Sequence, residues 1–131
     1  MDDVLAAAET VIVVDWPTRD VPESLARAGL RVFVHGGRDP DRYTLYEVVG
    51  DEVATKPAGA PPDHADLVYS YRPIDELPAI VALAHRVGAT TVWVHGPEDG
   101  GTARTVVESA GLRCVMSPSI VEAARRRRRP Q

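Results

Sequence analysis

Apolar residues along this chain fall in short, almost unbroken runs that stop at polar, Gly or Pro residues. The runs are TVIVVD (Thr10 to Asp15), RVFVHGG (Arg31 to Gly37), ADLVYSYRP (Ala65 to Pro73), TTVWVHGP (Thr90 to Pro97) and RCVMSPS (Arg113 to Ser119). A half-exposed strand alternates apolar with polar residues, whereas a strand buried on both faces reads as a continuous β-branched run. The pattern therefore predicts parallel strands at the centre of a sheet.

Helical signals lie between these runs. Asp20 with Glu23 resembles a capping box and Gly29 supplies a stop, which predicts a short helix over Val21 to Ala28. From Ile74 to Val87, the residues Leu77, Ile80, Val81, Ala84 and Val87 fall on one face, Pro78 suits a first turn, and Gly88 ends the segment. Thr102 to Ala110 forms a third helix before Gly111, and Ser119 with Glu122 opens a last one that runs into the arginines. Leu5 to Glu9 is read as a small leading helix. The rhythm breaks between Asp39 and His64. Tyr43 to Val49 alternates as an edge strand would, Glu52 to Thr55 is its partner or continuation, and Lys56 to Pro62 reads as a linker.

Strand and helix in alternation require right-handed crossovers. The expected fold is α/β: a Rossmann-like, doubly wound, mainly parallel sheet of five to six strands with helices on both faces. The first strand then lies centrally and the switch point falls between TVIVVD and ADLVYSY, where such sheets bind ligands at the carboxyl ends of their strands. Asp15, Trp16 and Pro17 would face Tyr71, Arg72 and Pro73 across it.

Composition narrows the class. The chain has 131 residues, 44% hydrophobic and 26% charged, which suits one globular domain over residues 1–124 with a basic tail over 125–131. Asp2 and Asp3 are unlike the basic start of a signal peptide, no apolar run approaches the ~20 residues of a membrane span, and Cys114 stands alone in an apolar run. A cytoplasmic protein without a membrane segment is expected, with Cys114 as core filling. The net charge is −4, yet five of the 15 basic residues are Arg125 to Arg129. Without them, 10 basic residues face 19 acidic ones, about −9 for the body. An acidic body does not suggest a nucleic-acid-binding fold, and the arginines are read as a solvated tail.

The second half, from Asp66 to Met116, resembles the small CoA-binding proteins, whose domain is similar to the N-terminal domain of the succinyl-CoA synthetase α-subunit. The resemblance rests on Arg72, Pro78, Gly88 and Ala89, Trp93, Ala110 and Gly111, and Val115 and Met116. It implies a Rossmann-like fold and a CoA or acyl-CoA ligand held by the loops after the first, second and third of these runs. The corresponding positions here are Asp15, Trp16, Pro17, Thr18 and Arg19, then His35, Gly36 and Gly37, then Tyr71, Arg72 and Pro73, with His95 and Gly96 beyond Trp93. The first loop departs from the family's Gly-x-Ser-like pattern: it has no glycine, Pro17 lacks an N–H, and Asp15 brings negative charge towards a phosphate. The family's Trp-x-Gln is Trp93-Val94-His95.

The residues themselves leave alternatives open. Arg72 could clamp a phosphate while Asp15 accepts a hydroxyl, or the two could form a structural ion pair, since neighbouring strands run ~5 Å apart. Arg19 could replace lost backbone contacts with a side-chain contact. Trp16, Tyr71 and Trp93 are candidates to stack a flat ring, Trp93 being placed mid-strand as core. His35 and His95 each end a strand, but three strand spacings, ~14 Å, separate them, too far for one metal ion. His64 in a loop and His85 on a helix show no carboxylate at ligand spacing, and no metal motif is present. Thr18 and Ser117 lack an adjacent base, and Gly-rich dinucleotide and P-loop fingerprints are missing. Two expectations follow. One is a non-catalytic CoA- or nucleotide-type binding module with an altered phosphate loop and a small-molecule ligand. The other is a protein-interaction domain, meeting a protein partner or its own copy, whose pocket Trp16 and Pro17 fill and Asp15 and Arg72 seal.

Overall fold

The computed structural model describes residues 8–14, 20–35, 43–58, 62–71, 76–95, 101–116 and 120–128, with side chains to Ala124 in the last segment. In chain order the elements are β1 (Thr10–Val14), α1 (Asp20–Arg27), β2 (Arg31–His35), β3 (Tyr43–Val49), β4 (Glu52–Pro57) and β5 (Leu67–Ser70). They continue with α2 (Leu77–Arg86), β6 (Thr91–Val94), α3 (Thr102–Ser109), β7 (Arg113–Met116) and α4 (Ile120–Arg128). The strands form one sheet in the order β4-β3-β2-β1-β5-β6-β7.

β1 runs parallel to both β2 and β5, and β5, β6 and β7 continue in parallel. The central strands β1, β5 and β6 are buried at every position. That is why their sequences are continuous apolar runs rather than alternating ones.

Two expectations require correction. The sheet has seven strands, not five to six, and β2–β3 and β3–β4 are antiparallel, so the architecture is mixed α/β rather than a purely doubly wound parallel sheet. The segment expected as an edge strand plus a loop is a hairpin turning through Gly50 (φ +65) and Asp51, with Val49 opposite Glu52. Its second strand extends through Lys56 and Pro57, which read as linker because a strand exposed on both faces carries no apolar signature. Of the expected leading helix, Leu5 to Ala7 lie outside the described residues; Ala8 and Glu9 are not helical.

Helices cover both faces. On one, Val21 and Leu25 of α1 and Ile120, Ala123 and Ala124 of α4 pack on Val11, Val13, Leu67, Tyr69 and Trp93. On the other, Leu77, Ile80 and Ala84 of α2 and Ala103 and Val107 of α3 pack on Ile12, Val14, Val68, Val92 and Val94. Cys114 is buried in the second cluster. The return from α2 to β6 is a Schellman cap: Gly88 N–H donates to the His85 carbonyl at 3.2 Å and Ala89 N–H to that of Ala84 at 2.9 Å. Gly88 has φ +72, and a Cβ there would also meet His64 Nδ1 at 3.2 Å. α1 and α3 end alike, with Leu30 and Leu112 bonded back to the Leu25 and Val107 carbonyls. α4 carries the helical backbone on through Arg128, into the arginine run.

Candidate functional site

Register aligns the carboxyl ends of the four inner strands. His35 of β2 lies opposite Val14 of β1, Val14 opposite Ser70 of β5, and Ser70 opposite Val94 of β6. Hydrogen bonding continues one residue further, from Tyr71 N–H to the Val14 carbonyl at 3.2 Å and from His95 N–H to the Ser70 carbonyl at 3.0 Å. After β1 the chain passes to α1 on one face; after β5 it passes to α2 on the other. The helices that follow β1 and β5 thus lie on opposite faces, which makes the β1/β5 carboxyl edge the topological switch point, the place where sheets of this kind open a ligand crevice.

Of the thirteen sequence candidates, His35, Tyr71 and His95 are described. Asp15, Trp16, Pro17, Thr18, Arg19, Gly36, Gly37, Arg72, Pro73 and Gly96 lie outside the described residues, and so does the Asp15–Arg72 pair. Tyr71 and His95 come together. Their ring centroids are 4.9 Å apart at 61°, and Tyr71 remains 41% exposed. Beneath them the fully buried Tyr69 places its hydroxyl 2.5 Å from His95 Nδ1.

The protonation state of this group follows from its surroundings. Burial, then Tyr71, then the Asp20 carboxylate at the start of α1 all raise the Tyr69 pKa, so the phenol keeps its proton. Burial lowers the His95 pKa below its ordinary value, which favours the neutral ring. The bond between the neutral phenol and the neutral ring ties the imidazole to the buried strand beneath it, with Nδ1 turned towards Tyr69. The result is an oriented imidazole beside an exposed aromatic residue.

His35 belongs to a different group. It packs edge-on against Tyr43, its partner across β2 and β3, at 5.1 Å and 66°. Burial raises the Tyr43 pKa, with Arg86 of α2 acting against it. Tyr43 packs in the α2/α3 cluster and Tyr69 in the α1/α4 cluster, so the two His–Tyr groups occupy opposite faces. Three strand spacings and the thickness of the sheet thus separate His35 from His95. Trp93 is 0% exposed and belongs to the core, as its mid-strand position implied.

Tyr69 and Tyr43 were absent from the sequence candidates. Tyr69 carried a usable signal, because it lies two residues before Tyr71 and shares its face in a strand. Nothing local announced the pairing with His95, which depends on the β5/β6 register. His64 instead serves a structural contact, its Nε2 lying 3.2 Å from Asp66 Oδ1. Asp66 Oδ2 meanwhile accepts the Glu9 and Thr10 N–H groups at 2.9 and 3.0 Å. Burial acts to raise the Asp66 pKa, but these two backbone donors and His64 together lower it. This group sits at the amino ends of β1 and β5, away from the crevice. His85 Nε2 lies 2.9 Å from the Ala110 carbonyl and ties α2 to the end of α3.

No protein-family model and no curated protein sequence matches the chain. Solved structures do. A protein from Thermus thermophilus, cell-free ID.343, aligns with a TM-score of 0.65 at 19% identity over 95% of this chain and 94% of its own. A hypothetical protein from Pyrococcus horikoshii OT3 aligns with a TM-score of 0.67 at 20% identity, covering 96% of this chain and 91% of that one. Prb, the PH1109 protein redesigned for binding, aligns at 20% identity and 0.67 over 95% and 87%. The likeness is one of fold. Among the described residues, no helix is long and apolar enough to cross a membrane.

Proposed function

We propose that the carboxyl edge at β1 and β5 binds a CoA- or nucleotide-type ligand without transforming it. The observation that carries this reading is the Tyr69–His95–Tyr71 group at the switch point. It offers an exposed ring for stacking beside an imidazole whose orientation Tyr69 sets. The resemblance of Asp66 to Met116 to the small CoA-binding proteins points to the same ligand class. The Asp20 carboxylate, which acts on Tyr69, disfavours a phosphate at this part of the crevice. The base and sugar therefore lie against Tyr71 and His95, while Arg19 and Arg72 are the candidates to meet phosphate.

Thermal melts with adenosine, ADP, CoA and acyl-CoA test this. A ligand stabilises by RT ln(1 + [L]/Kd), so a binder of ~100 μM shifts the melt at millimolar concentration. Adenosine itself should register, and Tyr71→Ala should remove its shift. Asp15→Gly should improve ADP or CoA affinity by roughly tenfold, about 1.4 kcal/mol. No shift with any of the four ligands would overturn the reading in favour of an interaction domain with a closed crevice.

A further inference from the structure

We infer that β4 is a self-complementary edge which pairs with β4 of a second copy of this chain, extending the sheet across a two-fold axis. β4 is the outermost strand on its side, and all its residues except half-buried Val53 are exposed. Its pairing with β3 determines which backbone groups face outward. Ala58 N–H donates to the Tyr43 carbonyl at 2.8 Å, one step beyond the Thr44–Pro57 pair. Antiparallel pairs alternate between bonded and non-bonded, so Glu52, Ala54 and Lys56 bond towards β3. Val53 and Thr55 then direct their N–H and C=O groups away from the sheet. Pro57 falls in the same outward phase, where its missing N–H takes nothing from the β3 ladder.

Rotated about an axis through Ala54, the strand meets itself. Val53 comes opposite Thr55 of the second copy, and each such pair can exchange both of its N–H···O bonds. Glu52 comes opposite Lys56, acid against base, and the axis produces that contact twice. An acid and a base equally spaced about Ala54 are what make the edge complementary to its own copy; two like charges there would repel it. Val48, opposite Val53 on the same face, adds an exposed apolar side chain beside the seam. The Lys56–Glu47 contact within one copy is long, 4.0 Å, and solvent-exposed, so it competes little. At the other edge of the sheet, the Arg104 side chain already occupies a backbone carbonyl of β7, that of Cys114, at 3.1 Å.

Sedimentation equilibrium on the full chain tests the pairing without reference to any ligand. The chain should dimerise reversibly as concentration rises. Glu52→Lys and Lys56→Glu should each weaken the dimer by roughly tenfold or more, because each opposes like charges twice. Mixing the two variants should restore association as a heterodimer, seen by native mass spectrometry. The double variant carrying both changes should again pair with itself. Unchanged melting temperatures of the monomers would show that the fold is intact. A wild-type chain that stays monomeric up to roughly millimolar concentration overturns the inference. So does a dimer indifferent to both reversals, or a mixture that does not associate.

Discussion

The two ends of the sheet use similar residue types to opposite effect. At the amino end, Asp66 satisfies the backbone of Glu9 and Thr10 and the ring of His64, and Gly88 turns tightly under that ring. Acid, imidazole and backbone answer one another there. At the carboxyl end, Tyr69 orients His95 from below, and Tyr71 leaves its ring open to solvent. A histidine held by a neighbour is thus a joint at one end and a candidate ligand contact at the other. What separates them is strand polarity: crossovers diverge only beyond the carboxyl ends.

If the amino end is a joint, its disruption should cost stability most. Gly88→Ala forces a side chain into a left-handed backbone and against His64, and should cost about 2 kcal/mol in chemical denaturation. An unchanged midpoint would mean that the turn relaxes freely. Asp66→Ala should cost about 1–2 kcal/mol at neutral pH by leaving two backbone donors without their acceptor. Because the folded Asp66 pKa is lowered from 3.8, its contribution is present above that value and lost as pH falls through the folded pKa. The difference between wild type and Asp66→Ala should therefore shrink in strong acid.

The carboxyl end should respond more weakly in stability. Tyr69→Phe removes the hydrogen bond with His95 Nδ1 and should cost about 1 kcal/mol. The His95 pKa is lowered from 6.5 by burial, so the folded state binds its proton less readily than the unfolded chain. Stability should fall as pH drops below about 6.5, and this step should be missing in His95→Phe. Tyr71→Ala should change stability by less than about 0.5 kcal/mol, since the residue lies at the surface, 41% exposed. Its effect should appear in ligand binding alone. A large loss of stability would make Tyr71 a packing residue and blur the contrast between the two ends.

Much of the fold was legible in the chain. Strands buried on both faces write themselves as TVIVV, LVYS and TVWV, and helices that must return to a sheet end at Gly29, Gly88 and Gly111. The helix face through Leu77, Ile80, Ala84 and Val87 is buried as its spacing requires. β4 was only half legible, because Lys56 and Pro57 lie exposed on an outer strand. Their strand conformation comes from the β3 ladder, not from an apolar pattern of their own. The site was legible as a place more than as a constellation. Tyr71 and His95 stood at strand ends in the sequence; the buried hydroxyl that orients His95 did not.

The alternation of strand and helix, the central place of Thr10–Val14, and the end of the sheet where polar residues gather were all written in the chain. Local preference and burial periodicity act on residues a few positions apart, so a single chain displays them. That Tyr69 meets His95 while His35 meets Tyr43 on the other face was settled by folding alone. Those contacts join residues 26 and eight positions apart through strand register. Register is set by how the crossover helices and the hairpin seat each strand against its neighbour. A shift of one residue would have turned every one of these side chains to the opposite face.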